Sequence, residues 1–350
     1  MFSPEFYRGR RVLVTGHTGF KGAWLCHMLS RLGARVYGFS LPDVPREGVF
    51  EAADVARDVH SIFGDIRDLA ALREAFLAAS PEVVFHLAAQ PLVQEGYDDP
   101  VYTYEVNVLG TVHVMECVRD CPDVRSVVVV TTDKVYANDE GGVGFREEDV
   151  LDGFDPYANS KSCAELVSAT YARAFLHPRV AVSTVRAGNV IGGGDVSCNR
   201  LLPDCVRAAR AKKPIVLRNP HAVRPYQHVL EPLSFYLMLA ARQYDDATLA
   251  GAYNVGPRRE DHVTSAQLAT LFVRAFGGDI PICTSEGCVG CHEATLLYLD
   301  CSRAKRVLGW QPVTNVWDAV LMSVEWEKCR MTGGDVRAVM DRQTDQFLME

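Results

Sequence analysis

The sequence feature that most constrains the fold is a glycine-rich turn that joins an apolar strand to an apolar helix. Residues 11–15 read RVLVT and run directly into this turn. The seven residues of the turn are Gly16, His17, Thr18, Gly19, Phe20, Lys21 and Gly22. Glycines let backbone amides approach a pyrophosphate, and the following helix N-terminus adds the positive end of its dipole. The pattern therefore predicts a dinucleotide site, a tight turn without ligand being the alternative.

Short Val-, Leu- and Ile-rich runs alternate with segments of helical period through the first half of the chain. The predicted strands are 11–15, 35–39, 59–63, 83–87, 126–131 and 180–186. The predicted helices are 22–32, 68–79, 101–119 and 157–175. Strands that are apolar on both faces, with a helix between each pair, indicate a parallel sheet covered on both sides. We therefore predict an α/β fold built on a doubly wound parallel Rossmann sheet.

The regular alternation of predicted strands and helices ends near Gly192, where three consecutive glycines precede segments interrupted by prolines. Helices are predicted near 201–211, 231–242, 264–276, 302 and 317–329, and a strand at 252–255. We predict a Rossmann domain over 1–190 and a smaller, irregular substrate domain over 191–350, with some exchange of chain near 225–260. Ligands of open α/β sheets bind outside the carboxyl ends of the strands, so the cleft between the two domains is the expected site.

Composition excludes several classes of protein. The formal net charge is −8 at pH 7, which disfavours nucleic acid as a partner. The longest apolar runs are far shorter than the roughly 18 residues of a membrane span, and the first residues lack the apolar stretch of a secretory signal. We therefore expect a cytoplasmic protein without a membrane segment.

The chain has 11 cysteines, an odd number, and without a secretory signal free thiols are expected. One cluster stands out, because Cys283, Cys288, Cys291 and His292 combine a haem-attachment pattern with zinc-like spacing. No second paired cluster follows at zinc-finger spacing, and haem attachment belongs to an exported compartment. We therefore predict no metal and interpret this segment as a surface loop with incidental thiols.

Tyr157 and Lys161 are four residues apart on a predicted helix, which places both side chains on one face. An ammonium beside a phenol favours the phenolate and lowers its pKa, so the pair predicts a general base. An incidental surface pair is the alternative. The catalytic interpretation is favoured because Thr132 and Asp133 follow the strand 126–131, whose end faces the same crevice, and Asn107 adds a polar anchor.

The nucleotide form of the cofactor is less clearly marked. An acidic residue after the second strand favours NAD and a basic one favours NADP, but that position reads Phe39-Ser40-Leu41. No basic residue follows until Arg46, which favours NAD. Asp65 and Ile66, after the third strand, are candidates to hold the adenine, and a helix cap is the alternative for Asp65.

The three-and-three spacing of the glycines is typical of short-chain dehydrogenases/reductases, and further motifs narrow the likeness. These are GHTGFKGAWL at 16, HLAAQPLV at 86, NVLGT at 107, TTDKVY at 131, DPYANSK at 155, RAGNVIGGGD at 186, RPYQHVLEPL at 224, YNVGP at 253 and HEATLLYLDCSRAKRVLGWQP at 292. Over almost its whole length the sequence resembles the extended members that act on nucleotide sugars, and among them the CDP-glucose 4,6-dehydratases.

The resemblance implies a retained NAD and an internal hydride transfer that converts CDP-glucose to a 4-keto-6-deoxy sugar nucleotide. It implies catalytic roles for Thr132, Asp133, Lys134, Tyr157 and Lys161. Besides residues 16–22, it implies cofactor contacts from Ser40, Asp65, Ile66, Leu87, Ala88, Ala89, Asn107, Tyr157 and Lys161. It implies substrate contacts from Gln90, Asn189, Arg200, Leu201, Arg224, Gln227, His228 and Glu293. The second domain would then bind the nucleotide sugar, and a homodimer through the helices that carry Asn107 and Tyr157 is expected.

Two departures from the family pattern bear on specificity. Val196 and Asn199 stand where Trp and Asp are expected, and Tyr226 replaces a Trp. Lys134 stands where other nucleotide-sugar dehydratases carry the Glu that removes the C5 proton, so it is either that base or a charged stabiliser of the enolate. The rival functions are a dehydratase of another nucleotide sugar, a nucleotide-sugar epimerase, and a non-catalytic dinucleotide-binding redox sensor.

Overall fold

The computed structural model describes residues 4–138, 144–284 and 297–348. The strands are β1 Arg11–Thr15, β2 Arg35–Ser40, β3 Val59–Phe63, β4 Val83–His86, β5 Ser126–Val130, β6 Ala181–Ala187, β7 Val190–Ile191, β8 Ile215–Leu217, β9 Val223–Arg224, β10 Gln227–His228, β11 Ala252–Val255, β12 Val263–Thr264 and β13 Ile282–Thr284. The α-helices are α1 Phe20–Arg31, α2 Val49–Ala52, α3 Leu69–Ala79, α4 Val93–Asp98, α5 Pro100–Tyr104, α6 Gly110–Asp120, α7 Pro156–Tyr171, α8 Leu201–Ala211, α9 Leu230–Asp245, α10 Ser265–Phe276, α11 Ser302–Leu308, α12 Val316–Met331 and α13 Val336–Leu348.

Seven strands form one parallel sheet in the order β11-β6-β5-β4-β1-β2-β3. Alternate residues of β1 enter different cores, because Val12 and Val14 pack with α1 and α9 whereas Leu13 packs with α3 and α6 on the other face. The prediction of a doubly wound α/β sheet is confirmed. Strands β2 and β3 are added on one side of β1, and β4 to β6 on the other. The strand order therefore reverses between β1 and β4, where a crevice opens at the carboxyl ends of the strands.

The elements after Gly192 are distributed differently from the prediction. Strand β11 pairs with β6 at the edge of the main sheet, and α9 packs behind that sheet, where Ser126 Oγ donates to the carbonyl of Ala240 (2.9 Å). Both lie in or near the stretch 225–260, where exchange of chain was expected. The remaining late elements build a smaller layer around α8, α10 and α12. The boundary at residue 190 stays a prediction.

Two helices depart from their predicted form. The predicted helix 101–119 is interrupted by a π-helical turn at Glu105–Leu109, which places Asn107 inward and buried. Helix α13 was not predicted, because charged residues interrupt its apolar pattern. It buries Val339 and Met340 and is held to α1 by Arg31, which pairs with Asp341 and Asp345 at 3.0 and 2.5 Å.

None of the helices within the described ranges is long and apolar enough to cross a membrane. The cysteines in those ranges are free thiols, and Cys283 is exposed on β13. Cys288, Cys291 and His292 lie outside the described residues, as does Glu293. Among the residues the structure does describe, no three His, Cys, Asp or Glu side chains are grouped as metal ligands.

Candidate active site

The glycine-rich turn is shaped by positions that only glycine can occupy. Gly16 has φ +76°, and a Cβ placed there would lie 2.8 Å from the amide nitrogen of Ala88. A Cβ at Gly22 would lie 2.0 Å from the carbonyl oxygen of Gly16. Helix α1 begins directly after Gly19, and no side chain caps its first amides. The turn is therefore a close-packed cradle with a helix N-terminus at its mouth, which fits the pyrophosphate of a dinucleotide.

Behind the turn, hydrogen bonds from His17 and Thr18 connect the turn to β2 and β3. His17 Nδ1 lies 2.9 Å from Ser40 Oγ and His17 Nε2 lies 3.0 Å from Ser61 Oγ, while the amide of Thr18 donates to Ser40 (3.3 Å). Burial lowers the pKa of His17 to about 4, so the ring is neutral at pH 7. The position after β2 thus presents hydroxyls and a neutral ring, which suits a ribose better than a ribose phosphate. Ser61 was not anticipated from the sequence.

Asp65 and Ile66 follow β3, the strand that carries Ser61. The Asp65 carboxylate accepts bonds from the Arg67 side chain at 2.7 to 3.1 Å, and that contact lowers the pKa of Asp65. Ile66 is buried against Gly110. Asp65 is not a helix cap, because α3 is capped by Asp68, which accepts from the amides of its first turn.

The segment after β4 is tied to the helices by Asn107. The amides of Leu87 and Ala88 donate to Thr15 Oγ1 (3.2 Å each), which holds Ala88 against the glycine turn. Asn107 accepts from the amide of Gln90 (2.9 Å) and donates to the Gln90 carbonyl and to Ser160 Oγ (3.0 and 2.9 Å). Asn107 therefore joins this segment to α7. The half-buried Ala89 completes the segment.

Tyr157 and Lys161 lie on one face of α7, whose N-terminus is capped by Asp155. Lys161 Nζ donates to the carbonyl of Val130 (3.0 Å), and burial lowers its pKa to about 8. The Tyr157 phenol is hydrogen-bonded to Thr132. The expected lowering of the Tyr157 pKa is wrong for this arrangement. Desolvation raises that pKa to about 12, outweighing the lowering effects of the Thr132 bond and of the positive charge of Arg200.

Asp133 is a buried carboxyl that follows Thr132 in the segment after β5. It is 3% exposed, Thr132 donates to its Oδ1 (3.0 Å), and its Oδ2 has no hydrogen-bond partner among the described residues. A Cβ at Gly188 would lie 3.1 Å from that oxygen. Burial raises the pKa of Asp133, although Lys134 and Arg224 oppose this. A buried carboxyl with a raised pKa suits a proton donor.

Several cations converge on these groups. Lys21 of the glycine turn is close enough to Lys161, Arg200 and Asp133 for their charges to affect its pKa, which burial lowers to about 7. Arg200 lies 3.8 Å from Asp195 and precedes Leu201, the first residue of α8. Phe20, also of the turn, packs against Gly192. The structure thus brings the predicted catalytic residues, the turn and Arg200 to one cleft.

The other residues predicted to contact substrate make different kinds of contact within the protein. The Asn189 carbonyl accepts from the amide of Gln227 (3.0 Å), and the Gln227 side chain donates to the carbonyl of Val255 (3.2 Å). Arg224 is buried, and its guanidinium donates to the carbonyl of Val223 (2.9 Å). His228 packs in the core, with ring centroids 6.0 Å from Trp24 and 6.4 Å from Phe347, so its contacts are structural.

Comparison with known proteins identifies the family of this chain. The sequence profile of the family described as GDP-mannose 4,6 dehydratase matches residues 13–322. A protein named CDP-glucose 4,6-dehydratase from Salmonella typhimurium is 42% identical over 357 aligned residues, which cover 99% of each chain.

Solved structures agree on the fold. The UDP-glucose 4-epimerase from Thermotoga maritima, solved with UDP-glucose, superposes with a TM-score of 0.80 at 21% identity, covering 91% of this chain and 99% of the other. The dTDP-glucose 4,6-dehydratase from Bacillus anthracis, solved with NAD, superposes with a TM-score of 0.77 at 21% identity, covering 93% and 99%. The resemblance to nucleotide-sugar enzymes is confirmed, and the chain belongs to the GDP-mannose 4,6 dehydratase family.

Proposed function

We propose that this chain is a hydro-lyase that converts CDP-glucose to CDP-4-keto-6-deoxyglucose with a tightly bound NAD. The observation that carries the proposal is the 42% identity to the Salmonella enzyme over 99% of both chains. The cleft supports it with a glycine cradle for the dinucleotide and with side chains suited to proton transfer. When bound, NAD supplies the acceptor for the hydride from C4 and the donor that returns it to C6.

The residues of α7 and of the segment after β5 act on the sugar 4-hydroxyl. Tyr157 takes the proton from this hydroxyl in its ionised form, which the positive charge of Arg200 favours against desolvation. Thr132, already bonded to the phenol, holds the 4-oxygen. Lys161 holds the cofactor ribose and places a positive charge one helical turn from the phenol. Oxidation at C4 makes the C5 proton acidic, which prepares the elimination.

Asp133 and Lys134 act in the elimination. The buried Asp133, with its raised pKa, gives a proton to the C6 hydroxyl as it leaves as water. Lys134, half-buried beside it, either removes the C5 proton or remains charged and stabilises the enolate. We prefer the base role.

The substrate diphosphate is assigned to Arg200 and Arg224, because guanidinium groups bind phosphates in a bidentate manner. Asn189, Leu201, Gln90 and Gln227 line the rest of the proposed substrate site. At the departure from the family pattern, Asn199 has φ +61°, which Asn tolerates well. Arg218 holds it through the Asn199 side chain and carbonyl (3.2 and 3.0 Å), next to Arg200.

The second candidate is an epimerase or a dehydratase of another nucleotide sugar, since a UDP-glucose 4-epimerase shares the fold. An acid at position 133 favours elimination, which needs a proton donor at the C6 oxygen. A redox sensor would have no need of the set formed by Tyr157, Lys161 and Asp133. The discriminating experiment incubates the purified protein and NAD with CDP-, UDP-, GDP- and dTDP-glucose and assays the alkali-labile keto-sugar chromophore. Signal from CDP-glucose alone supports the proposal, whereas signal only from another nucleotide overturns it.

A homodimer is part of the proposal. Helices α5 to α7 expose apolar side chains, including Val101 (67% exposed), Leu109 (45%) and Leu166 (56%). Met115 and Ala164 on the same helices are buried in the monomer and are not available to a partner. Exposed apolar residues on adjacent helices suit a second copy of the chain. The cytoplasmic location stays a prediction.

A further inference from the structure

Glu165 is a buried carboxylate on α7 that accepts hydrogen bonds from β6 and from the residue after β5. It is 3% exposed and lies on α7, one helical turn after Lys161. Its Oε1 accepts from Thr131 Oγ1 (2.5 Å) and Arg186 Nε (3.0 Å). Its Oε2 accepts from Thr184 Oγ1 (2.6 Å) and a terminal guanidinium nitrogen of Arg186 (2.9 Å). Four donor groups, three from β6 and one from Thr131 directly after β5, thus hold one side chain of α7.

Arg186 extends this network to the segments that follow. Its second terminal nitrogen donates to Tyr136 Oη (2.7 Å) and to the carbonyl of Glu147 (3.0 Å). Tyr136 in turn donates to Asn254 Oδ1 (2.6 Å). Thr131 and Tyr136 flank the stretch 132–135, which contains the proposed catalytic residues. Both are hydrogen-bonded within the network, so the stretch is held at both ends.

The network lies next to both groups of proposed catalytic residues, the Thr132–Asp133 stretch and the Tyr157–Lys161 pair. Thr131 immediately precedes Thr132 and Asp133, and Lys161 binds the carbonyl of Val130. We infer that Glu165 is a positioning residue that holds the Thr132–Asp133 stretch at a fixed distance from Tyr157 and Lys161. This inference rests on the proposed function for its catalytic consequence.

The charge of Glu165 has a second effect, on Lys161. The titratable groups near the Lys161 ammonium are Lys21 from α1, His86 from β4, and Tyr157 and Glu165 from α7. Burial lowers the pKa of Lys161, and Glu165 is the group that raises it. Removing the carboxylate charge would therefore lower that pKa further, and Lys161 would lose its proton at a lower pH.

The two threonines that donate to Glu165 provide a matched test. Thr131→Val and Thr184→Val each remove one hydroxyl that donates to one Glu165 oxygen, and both sites are buried. If Glu165 positions the reaction centre, Thr131→Val should lower kcat roughly 10- to 100-fold with little change in KM. Thr184→Val should keep kcat within about twofold, because Thr184 lies within β6 and precedes no proposed catalytic residue. Equal losses of kcat, or none in Thr131→Val, would overturn the inference.

Amide hydrogen exchange gives a readout that needs no substrate. With the holoenzyme, exchange across residues 132–135 should be faster in Thr131→Val than in Thr184→Val; equal rates would count against positioning. In Glu165→Gln, if it folds, the alkaline limb of the kcat profile should move to lower pH, and an unmoved limb would also contradict the inference. All variants are compared on whichever nucleotide sugar the wild type turns over. An inactive wild type on CDP-glucose therefore counts against the proposed function, while the exchange rates still decide the role of Glu165.

Discussion

Lys161 Nζ donates a 3.0 Å hydrogen bond to the carbonyl oxygen of Val130, the last residue of β5. This bond ties the helix that carries Tyr157 to the strand end that leads into Thr132 and Asp133. The proposed base and acid, which are distant in the sequence, are thereby held on two sides of one cleft.

Replacing Tyr157 with Phe should abolish turnover of CDP-glucose and leave NAD binding nearly intact. The change removes one hydroxyl from α7 and leaves the glycine cradle after β1 untouched. Steady-state assays and NAD titration calorimetry measure the two effects. The proposed base role would be contradicted if NAD affinity fell as far as the rate.

Asp133→Asn should stop product formation and at the same time stabilise the protein at pH 7. An Asp in the unfolded chain has a pKa near 3.8, and burial raises the pKa of Asp133 in the folded state. A raised carboxyl pKa means that the ionised form costs stability above pH 3.8, and that this cost disappears as both states become protonated below it. Removing the charge should therefore add about 1 kcal/mol at neutral pH, and the gain should vanish near pH 3.5.

Urea unfolding at both pH values measures this difference. Asp43→Asn, at an exposed position, is the control and should change stability little at either pH. A loss of stability in Asp133→Asn at pH 7 would show that the carboxylate is stabilised in the folded state, contrary to the direction of its pKa shift.

The C5 proton identifies the role of Lys134. If Lys134 is the base, Lys134→Met should still oxidise C4, accumulating NADH and the 4-keto sugar, but should not exchange the C5 proton with deuterated water. Absorbance at the NADH band and mass spectrometry of the recovered sugar report the two steps. Normal C5 exchange in this variant would leave Lys134 as an electrostatic stabiliser.

Stability should fall on mild acidification because of buried neutral histidines. His86 is bonded to Thr15 Oγ1 and Thr111 Oγ1 (2.8 and 3.1 Å), and burial lowers its pKa from 6.5 to about 3. Below pH 6.5 the unfolded chain takes up a proton that folded His86 does not, so stability is lost as the pH falls toward 3. At pH 5.5 this one group costs about 1.4 kcal/mol.

His86→Asn removes this titration and should make the loss of stability between pH 7.5 and 5.5 smaller than in the wild type. His221→Asn, at an exposed position, is the matched control and should show the full wild-type loss. Chemical unfolding at the two pH values is the measurement, and identical losses in all three proteins would refute the assignment.

Leu166→Glu should dissociate the proposed dimer, because it places a charge on the exposed apolar face of α7. Light scattering after size exclusion should then give the mass of one chain, 38.6 kDa, in place of two. Leu77→Glu, on α3 and 78% exposed, is the control and should keep the wild-type mass. A wild-type protein of monomer mass would refute the dimer itself.

The strand and helix periods, the glycine turn and the Tyr157–Lys161 spacing could all be predicted from the sequence, because each depends on neighbours within a few residues. The apolar runs of β1, β3 and β11 matched their predicted bounds for this reason. The family motif TTDKVY likewise predicts site roles for Thr132 and Asp133.

The tertiary structure alone decided what depends on contacts between distant segments. It placed β11 in the main sheet, packed α13 on α1 and raised the pKa of Tyr157 by burial. It also joined Glu165 to donors from β6 and from Thr131, the residue after β5. Burial and hydrogen-bond partners are properties of the assembled core, and no local pattern encodes which segments will meet. The sequence therefore predicts which residues belong to the candidate site, whereas packing sets their protonation and spacing.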